Sequence, residues 1–378
     1  MTLDKFYSII SSVKSTPRHF LAINFGCRVN AAETNQLSQI FIDQGFIPAT
    51  PPAIILINTC SITQKGEKES LGKVRQLHRL YPKAIIFVTG CAHLNKITDI
   101  PNTFIFKNKF KERLLKDLNC AYTPQIKDKF SHTHRFLLKI QSGCTQYCTY
   151  CTVPYRRQYL WSLPIDKAIQ TVKKAISDGY QEIIITGVNL DQYQPKLSNL
   201  IKNILIETNI KLISFGSLTI NTLNQELLDL YQNPNFFPRL SHFLHVPIQS
   251  GSDKILKLMN RPYTKKDILN SFNLFKTAKF PLLQGGKFKE QGGLSFGTDI
   301  IVGFPNETEK DFLETYKLCQ QIGFKKIHTF RFSPRPQTPA KFLAVKSSKL
   351  TKEILSNRSK LIRSISQTKP PSHQTPEN

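Results

Sequence analysis

At 378 residues, 40% of them hydrophobic, the chain is long enough to bury more than one core, and two domains are the expectation. Lys and Arg number 52 against 26 Asp and Glu, a formal net charge of +26 that exceeds what one basic tail supplies; a polyanionic partner is its simplest physical reason, and a Lys-rich composition bias without function the plainer one. No run approaches the roughly 18 apolar residues that span a bilayer and no cleavable leader is visible, so the chain reads as cytoplasmic, where eight cysteines argue for metal ligation or catalysis over disulfides.

Apolar runs alternate with helical patterns, the signature of βα units around a mostly parallel sheet. Residues 1–18 read as a ragged extension ahead of the first strand. Phe20–Asn24, Ala53–Asn58 and Lys83–Thr89 are predicted strands, with helices near Ala31–Gln44 and Thr63–Leu80. Cys27, Cys60 and Cys91 each follow one of these strands directly. Ligands of open α/β sheets bind beyond the carboxyl ends of the strands, so three cysteines distant in sequence converge there. Taken singly, each would pass for a small core residue. Cys120 and Cys319 lack the placement and are assigned to structure.

Ala121 to His134 is polar, without period, and marks a domain boundary. Beyond it come Phe136–Ile140, Glu182–Thr186, Lys211–Ser217, Phe243–Pro247, Gly297–Val302 and Lys326–Arg331, six strand candidates separated mostly by helical segments. Six units are too few for a closed eight-stranded barrel, so an open (βα)6 barrel is expected, with its site at the C-terminal mouth of the strands. Pro281 to Gly293 reads as a loop, and residues 341–378 as a basic helical segment with a disordered tail.

The strongest signal follows Phe136–Ile140. Cys144, Cys148 and Cys151 stand in a C-x3-C-x2-C arrangement on one short loop. Three thiolates there hold three irons of a [4Fe–4S] cluster and leave the fourth open to a small molecule. A zinc site would want a fourth Cys or His at short spacing, and the loop has no His.

With Tyr150 before its last cysteine, this loop resembles that of the radical S-adenosylmethionine (SAM) superfamily. The resemblance implies that the open iron chelates SAM, which on reduction gives a 5′-deoxyadenosyl radical. Gly-Cys-Arg-Val-Asn30, Asn-Thr-Cys60 and Thr-Gly-Cys91 are similar to the dispersed cysteine motifs of radical-SAM methylthiotransferases. So are Thr186-Gly-Val-Asn189, His245-Val-Pro-Ile-Gln-Ser-Gly-Ser252, Gly297 to Pro305 and Ser333-Pro-Arg-Pro-Gln-Thr-Pro339. Within that family the chain looks most like the branch acting on N6-threonylcarbamoyladenosine beside the anticodon, at position 37. The resemblance implies two [4Fe–4S] clusters, the auxiliary one on Cys27, Cys60 and Cys91, and two SAM molecules, which together place a methylthio group on carbon 2 of the adenine. It further implies tRNA, an electron donor such as flavodoxin or ferredoxin and a sulfur donor as partners, no membrane part, and a monomer.

The domains implied are 19–125 for the auxiliary cluster and 126–340 for the radical SAM core. Tyr150, Gly187, Asn189, Gln249, Ser250 and Asp299 are candidates for SAM. Gly187 and Asn189 also suit a plain turn, and Gln249 and Ser250 a cap for the helix starting near Asp253. Asp299 interrupts an apolar strand and should point into the barrel. Asn306 reads as an N-cap, with Glu307 and Glu309 answering the helix dipole. Arg156 and Arg157 fit RNA phosphate or a solvated surface equally. His78, His93, His132 and His134 show no metal spacing. The chain stops about where the family's small β-rich RNA-binding domain would begin, leaving phosphate contacts to the basic segment Lys341 to Arg363 and the folded surface. Gln158-Tyr-Leu-Trp161 stands where the family has an Arg/Ser-rich stretch. Methylthiolation of a ribosomal-protein aspartate, or a degenerate RNA-binding cluster protein, remain alternatives.

Overall fold

A computed structural model describes residues 1–14, 17–117, 135–281, 293–346 and 350–366. Cys120, the boundary at 121–134, most of the 281–293 loop and the tail after 366 lie outside the described residues.

The first domain carries a five-stranded parallel sheet in the order β2-β1-β3-β4-β5. Its strands are β1 (His19–Asn24), β2 (Ile47–Pro48), β3 (Ile54–Thr59), β4 (Ile85–Gly90) and β5 (Thr103–Ile105). Three were expected; β2 and β5 are edge strands of two and three residues, too short to carry a period. Helices α2 (Arg28–Asp43), α3 (Gln64–Leu80) and α4 (Asn108–Asp117) cover the faces. Every residue of β3 is buried, which is why it reads as one apolar run. The expected ragged extension instead holds α1 (Leu3–Ser11), capped by Thr2, whose hydroxyl accepts from Lys5 N. Phe6 and Ile10 of α1 are buried, and the Phe6 ring lies 5.0 Å from that of Phe87. Nine residues with two buried anchors are not visible as a period in sequence.

The second domain is the expected open barrel. Among the described residues its parallel strands are β6 (Arg135–Ser142), β8 (Glu182–Gly187), β9 (Leu212–Phe215), β10 (Phe243–His245), β11 (Ser295–Val302) and β12 (Lys326–Arg331). A two-residue strand, β7 (Trp161–Ser162), pairs antiparallel with the outer edge of β6. Parallel bridges Ile213↔Leu240 and Ser217↔His245 join β9 to β10. Helices α6 (Ile165–Ser177), α7 (Leu197–Glu207), α8 (Gln225–Gln232), α10 (Lys265–Lys276) and α11 (Glu309–Ile322) alternate with the strands, and short α5 (Val153–Arg156), α9 (Asp253–Leu258) and α12 (Pro339–Lys346) sit in the loops. Phe136, Leu138 and Ile140 of β6 and Phe296, Ile300 and Val302 of β11 join the core beneath the helices. Alternation turns Lys139, Gln141, His245, Gly297, Asp299 and His328 the other way, into the lumen.

The basic C-terminal segment forms α13 (Lys352–Ser364) and packs on the barrel. Arg358 on α13 donates to Glu307 at 2.6 Å and Glu309 at 2.7 Å. Both glutamates are therefore structural, as the sequence suggests, but the N-cap of α11 is Thr308 in a capping box with Asp311, not Asn306. Asn306 sits at φ 66° in the preceding turn. The first domain meets the barrel through α2, whose Ala31 and Ala32 pack on Leu137 and Ile184.

Candidate active site at the domain junction

Strands β1, β3 and β4 are neighbours in register, with Asn24 opposite Asn58 and Asn58 opposite Thr89. Their carboxyl ends are level, and the three following cysteines leave one edge together. Gly26 is at φ +98°, and a Cβ there would meet Cys60 Sγ at 2.7 Å. Cys91 N donates to Thr59 O at 3.0 Å, and Asn30 Nδ2 donates to Phe25 O and Thr59 O, both at 2.9 Å, drawing all three turns inward. Cys60 and Cys91 are buried while Cys27 is exposed. Burial pushes the Cys60 thiol up to about 11, and the nearby Cys27 and Cys91 thiols add to it.

The loop triplet sits at the barrel mouth. Gly143 opens it at φ +83°, where a Cβ would stand 2.5 Å from Tyr159 O. Thr149 N donates to Met259 O at 3.0 Å, and Ala340 N to Thr149 O at 2.9 Å, so α9 and α12 clamp the loop between them. Arg261 Nη1 donates to Cys148 Sγ at 3.3 Å and Asn189 Nδ2 to Cys144 Sγ at 3.6 Å. Burial pushes the Cys151 thiol up to about 12, with Cys148, Cys144 and Cys91 contributing. Cys91 thus lies within electrostatic reach of the other triplet. Ser61 and Thr152, each following a cysteine, share a hydrogen bond of 3.3 Å across the junction.

The residues singled out for SAM divide. Tyr150 is held against Ile255, Met259 and Ile301, and burial raises its phenol well above the usual value. Gly187 lies beside Gln141, whose Oε1 accepts from Asn189 N at 2.9 Å, placing Asn189 next to Cys144. Gln249 bridges to β11 at φ 68°, a left-handed conformation that a non-glycine residue keeps only when its surroundings impose it. Ser250 faces away from the lumen: it is buried, and its hydroxyl shares a 3.2 Å hydrogen bond with Thr315 of α11. Asp299 points into the barrel, 3.1 Å from His245 Nε2 and 3.2 Å from His328 Nδ1.

Arg157 corrects the RNA-phosphate expectation. It is 3% exposed, donating to Glu33 Oε1 at 2.5 Å, Glu33 Oε2 at 2.8 Å and Asn30 Oδ1 at 2.7 Å. Arg156 is half-buried, its Nε and Nη2 without partners, with Cys91 and Glu67 as its electrostatic neighbours. Sequence reasoning also missed Arg261, Arg335, Glu33, Lys111, Glu112, His245 and His328. Lys139, a charge inside an apolar strand, was legible by the logic applied to Asp299.

A model of the radical SAM superfamily matches residues 138–319, and one described as uncharacterized protein family UPF0004 matches 19–106. Threonylcarbamoyladenosine tRNA methylthiotransferase MtaB of Aquifex aeolicus is 31% identical over 376 residues, covering 91% of this chain and 87% of that protein. Its Chlamydia pneumoniae namesake is 31% identical, covering 88% and 78%. The chain belongs to the radical-SAM methylthiotransferase family. Another relative in it, tRNA-2-methylthio-N(6)-dimethylallyladenosine synthase of Thermodesulfovibrio yellowstonii, is 31% identical, covering 84% and 76%. Among solved structures, the radical SAM methyltransferase TsrM of Kitasatospora setae matches with a TM-score of 0.62 at 11% identity, covering 85% of this chain and 77% of that one, a likeness of fold.

SAM and [4Fe–4S] clusters are the cofactors of this family, and the donor sets fit them. Each trio offers three thiols, and the 144–151 loop holds no further Cys or His to close its site. Arg335, 3% exposed, has Nε and Nη1 unpartnered and Cys60 as an electrostatic neighbour, the state of a donor built to face an anionic group.

Proposed function

We propose that the chain is a tRNA methylthiotransferase that adds a methylthio group to carbon 2 of N6-threonylcarbamoyladenosine at position 37. The observation that carries the reading is the meeting of two three-cysteine sites across one domain junction, joined by Ser61 and Thr152 and by the proximity of Cys91 to Cys151. Cys144, Cys148 and Cys151 are the ligands of the SAM-binding cluster in this proposal, and Cys27, Cys60 and Cys91 those of the auxiliary cluster. SAM supplies both the radical and the methyl group.

The residues around these sites orient and shield. Asn189 and Arg261 donate to thiols of the loop and fix its geometry. Asp299 faces the lumen, where SAM and the adenine would meet, and Gln249 lies next to it in the turn that bridges to β11. The proposed domain limits are 19–125 and 126–340. The proposed partners are tRNA, an electron donor such as flavodoxin or ferredoxin and a sulfur donor, for a monomer in the cytoplasm. The relatives' names speak for adenosine in tRNA and do not favour the ribosomal-protein alternative.

Nucleoside mass spectrometry of tRNA with and without the gene tests this. The 2-methylthio derivative of threonylcarbamoyladenosine should vanish on deletion, leaving its unthiolated precursor. Unchanged methylthio content would reject the reading.

A further inference from the structure

Three cations and two carboxylates are buried together where the domains meet. Glu33 of α2, Lys111 and Glu112 of α4, Lys139 of β6 and Arg157 are each at most 5% exposed. Glu33 takes Lys111 at 2.5 Å, Lys139 at 2.8 Å and both terminal nitrogens of Arg157. Glu112 takes Lys139 at 2.8 Å and Arg157 at 3.2 Å, and accepts from Ser142. Burial alone would raise the Glu33 carboxyl, but the three cations hold it well below the usual carboxylate range. With every carboxylate charged, one positive charge remains over, and an uncompensated buried charge is costly.

The surplus is not randomly placed. Lys111 and Arg157 both have Cys91 as an electrostatic neighbour, and Arg157 also acts on Cys27. Elsewhere at the junction Glu67 pairs with Arg335 at 2.6 Å and lies 3.9 Å from exposed Lys96, while Nε and Nη2 of Arg156 have no partner, so cations again outnumber carboxylates. Glu67 also receives His93 N at 3.3 Å and Nδ1 at 3.1 Å, so its capacity is taken up. Both groups of cations act on the same three thiols, Arg156 on Cys91 and Arg335 on Cys60. The loop triplet has Arg261 close by on Cys148.

We propose that this cation excess is a built-in counter-charge: Lys111, Arg157, Arg156 and Arg335 together hold an anionic cluster on Cys27, Cys60 and Cys91. The inference rests on the reading of those cysteines as cluster ligands. Three thiolates outweigh an oxidised four-iron core by about one negative charge. A nearby cation favours retention of that charge and raises the reduction potential, because reduction adds a further electron. The four are positioning residues, acting through the ligands.

The counter-charge role and a purely structural one differ in sign. Lys111→Met removes the excess, whereas Glu112→Gln increases it; both break buried ion pairs. The test uses the full chain with Cys144, Cys148 and Cys151 replaced by Ala, so that only the auxiliary site can load iron. Three quantities are read: the midpoint potential by EPR-monitored titration, the rate of iron loss to a chelator, and the rise in Tm between metal-free and loaded protein. Lys111→Met should lower the potential, quicken iron loss and shrink the rise in Tm; Glu112→Gln should do the reverse. Arg156→Gln, on a half-buried side chain, should repeat the sign of Lys111→Met and stands in should that variant not fold. Shifts of the same sign in Lys111→Met (or its stand-in) and Glu112→Gln, or no shift, overturn the inference while leaving the ligand reading intact. Failure of the Cys-depleted parent to load any cluster overturns both.

Discussion

The two cysteine sites are built in opposite ways. The triplet Cys144, Cys148 and Cys151 lies within eight residues, and the loop is clamped by backbone hydrogen bonds to Met259 and from Ala340. The trio Cys27, Cys60 and Cys91 spans three βα turns and exists only when β1, β3 and β4 pair in register. A local site depends on its loop; a dispersed site depends on the whole domain and on the charges packed around it. In the proposed function they also divide the work, the local one for SAM cleavage and the dispersed one for sulfur transfer.

The sharpest way to break this comparison is to remove one ligand from each site. Cys151→Ala should abolish SAM cleavage and methylthio transfer together, while about half of the iron stays in the reconstituted protein. Cys91→Ala should also lose half of the iron and all methylthio transfer, yet still cleave SAM to 5′-deoxyadenosine. Iron assay and chromatography of cleavage products check both. Equal loss of cleavage in the two variants would mean that the sites are not separable.

Local and dispersed features also differed in how far the sequence revealed them. The C-x3-C-x2-C spacing declares its chemistry without a fold, and the strand-end position of the other cysteines allowed the convergence to be inferred from topology. The charges around them were not legible in the same way. Glu33 lies on α2 at a position that reads as a polar helix face, and only the docking of β6 shows that it is enclosed by Lys111, Lys139 and Arg157. Arg157 looked like a surface cation because nothing in its neighbourhood in the chain names its partner 124 residues away. Ser250 and Asp299 sit in similar motifs, yet strand alternation and a tight turn send one to α11 and the other into the lumen.

Backbone tolerance sharpens the comparison at an intermediate level. Gly90 precedes Cys91 at φ +109°, and a Cβ there would lie 2.3 Å from Thr59 O, which receives Cys91 N. Neither the backbone angle nor the carbonyl can give without moving the third turn of the dispersed site. Gly90→Ala should therefore destabilise the protein by about 3 kcal/mol. Thermal denaturation reads the cost. Iron titration should show the loss falling on the dispersed site, with the loop triplet still loading.

Acid lability should separate the sites with the smallest effect. Glu33 has its carboxyl well below the usual range because Arg157, Lys111 and Lys139 outweigh the burial that would raise it. A depressed folded value means that its stabilisation is fully present above the unfolded carboxylate value of about 4.3 and is lost as pH falls through the folded one. Within that window protonation leaves Arg157 and Lys111 facing a neutral partner, and α2 loosens from β6. Melting temperature against pH should fall below pH 4 in the parent protein, and the slope should be shallower in Glu33→Gln, which has no proton to take up there. Parallel slopes would remove Glu33 from the junction's acid response and leave the dispersed site no more sensitive to pH than the local one.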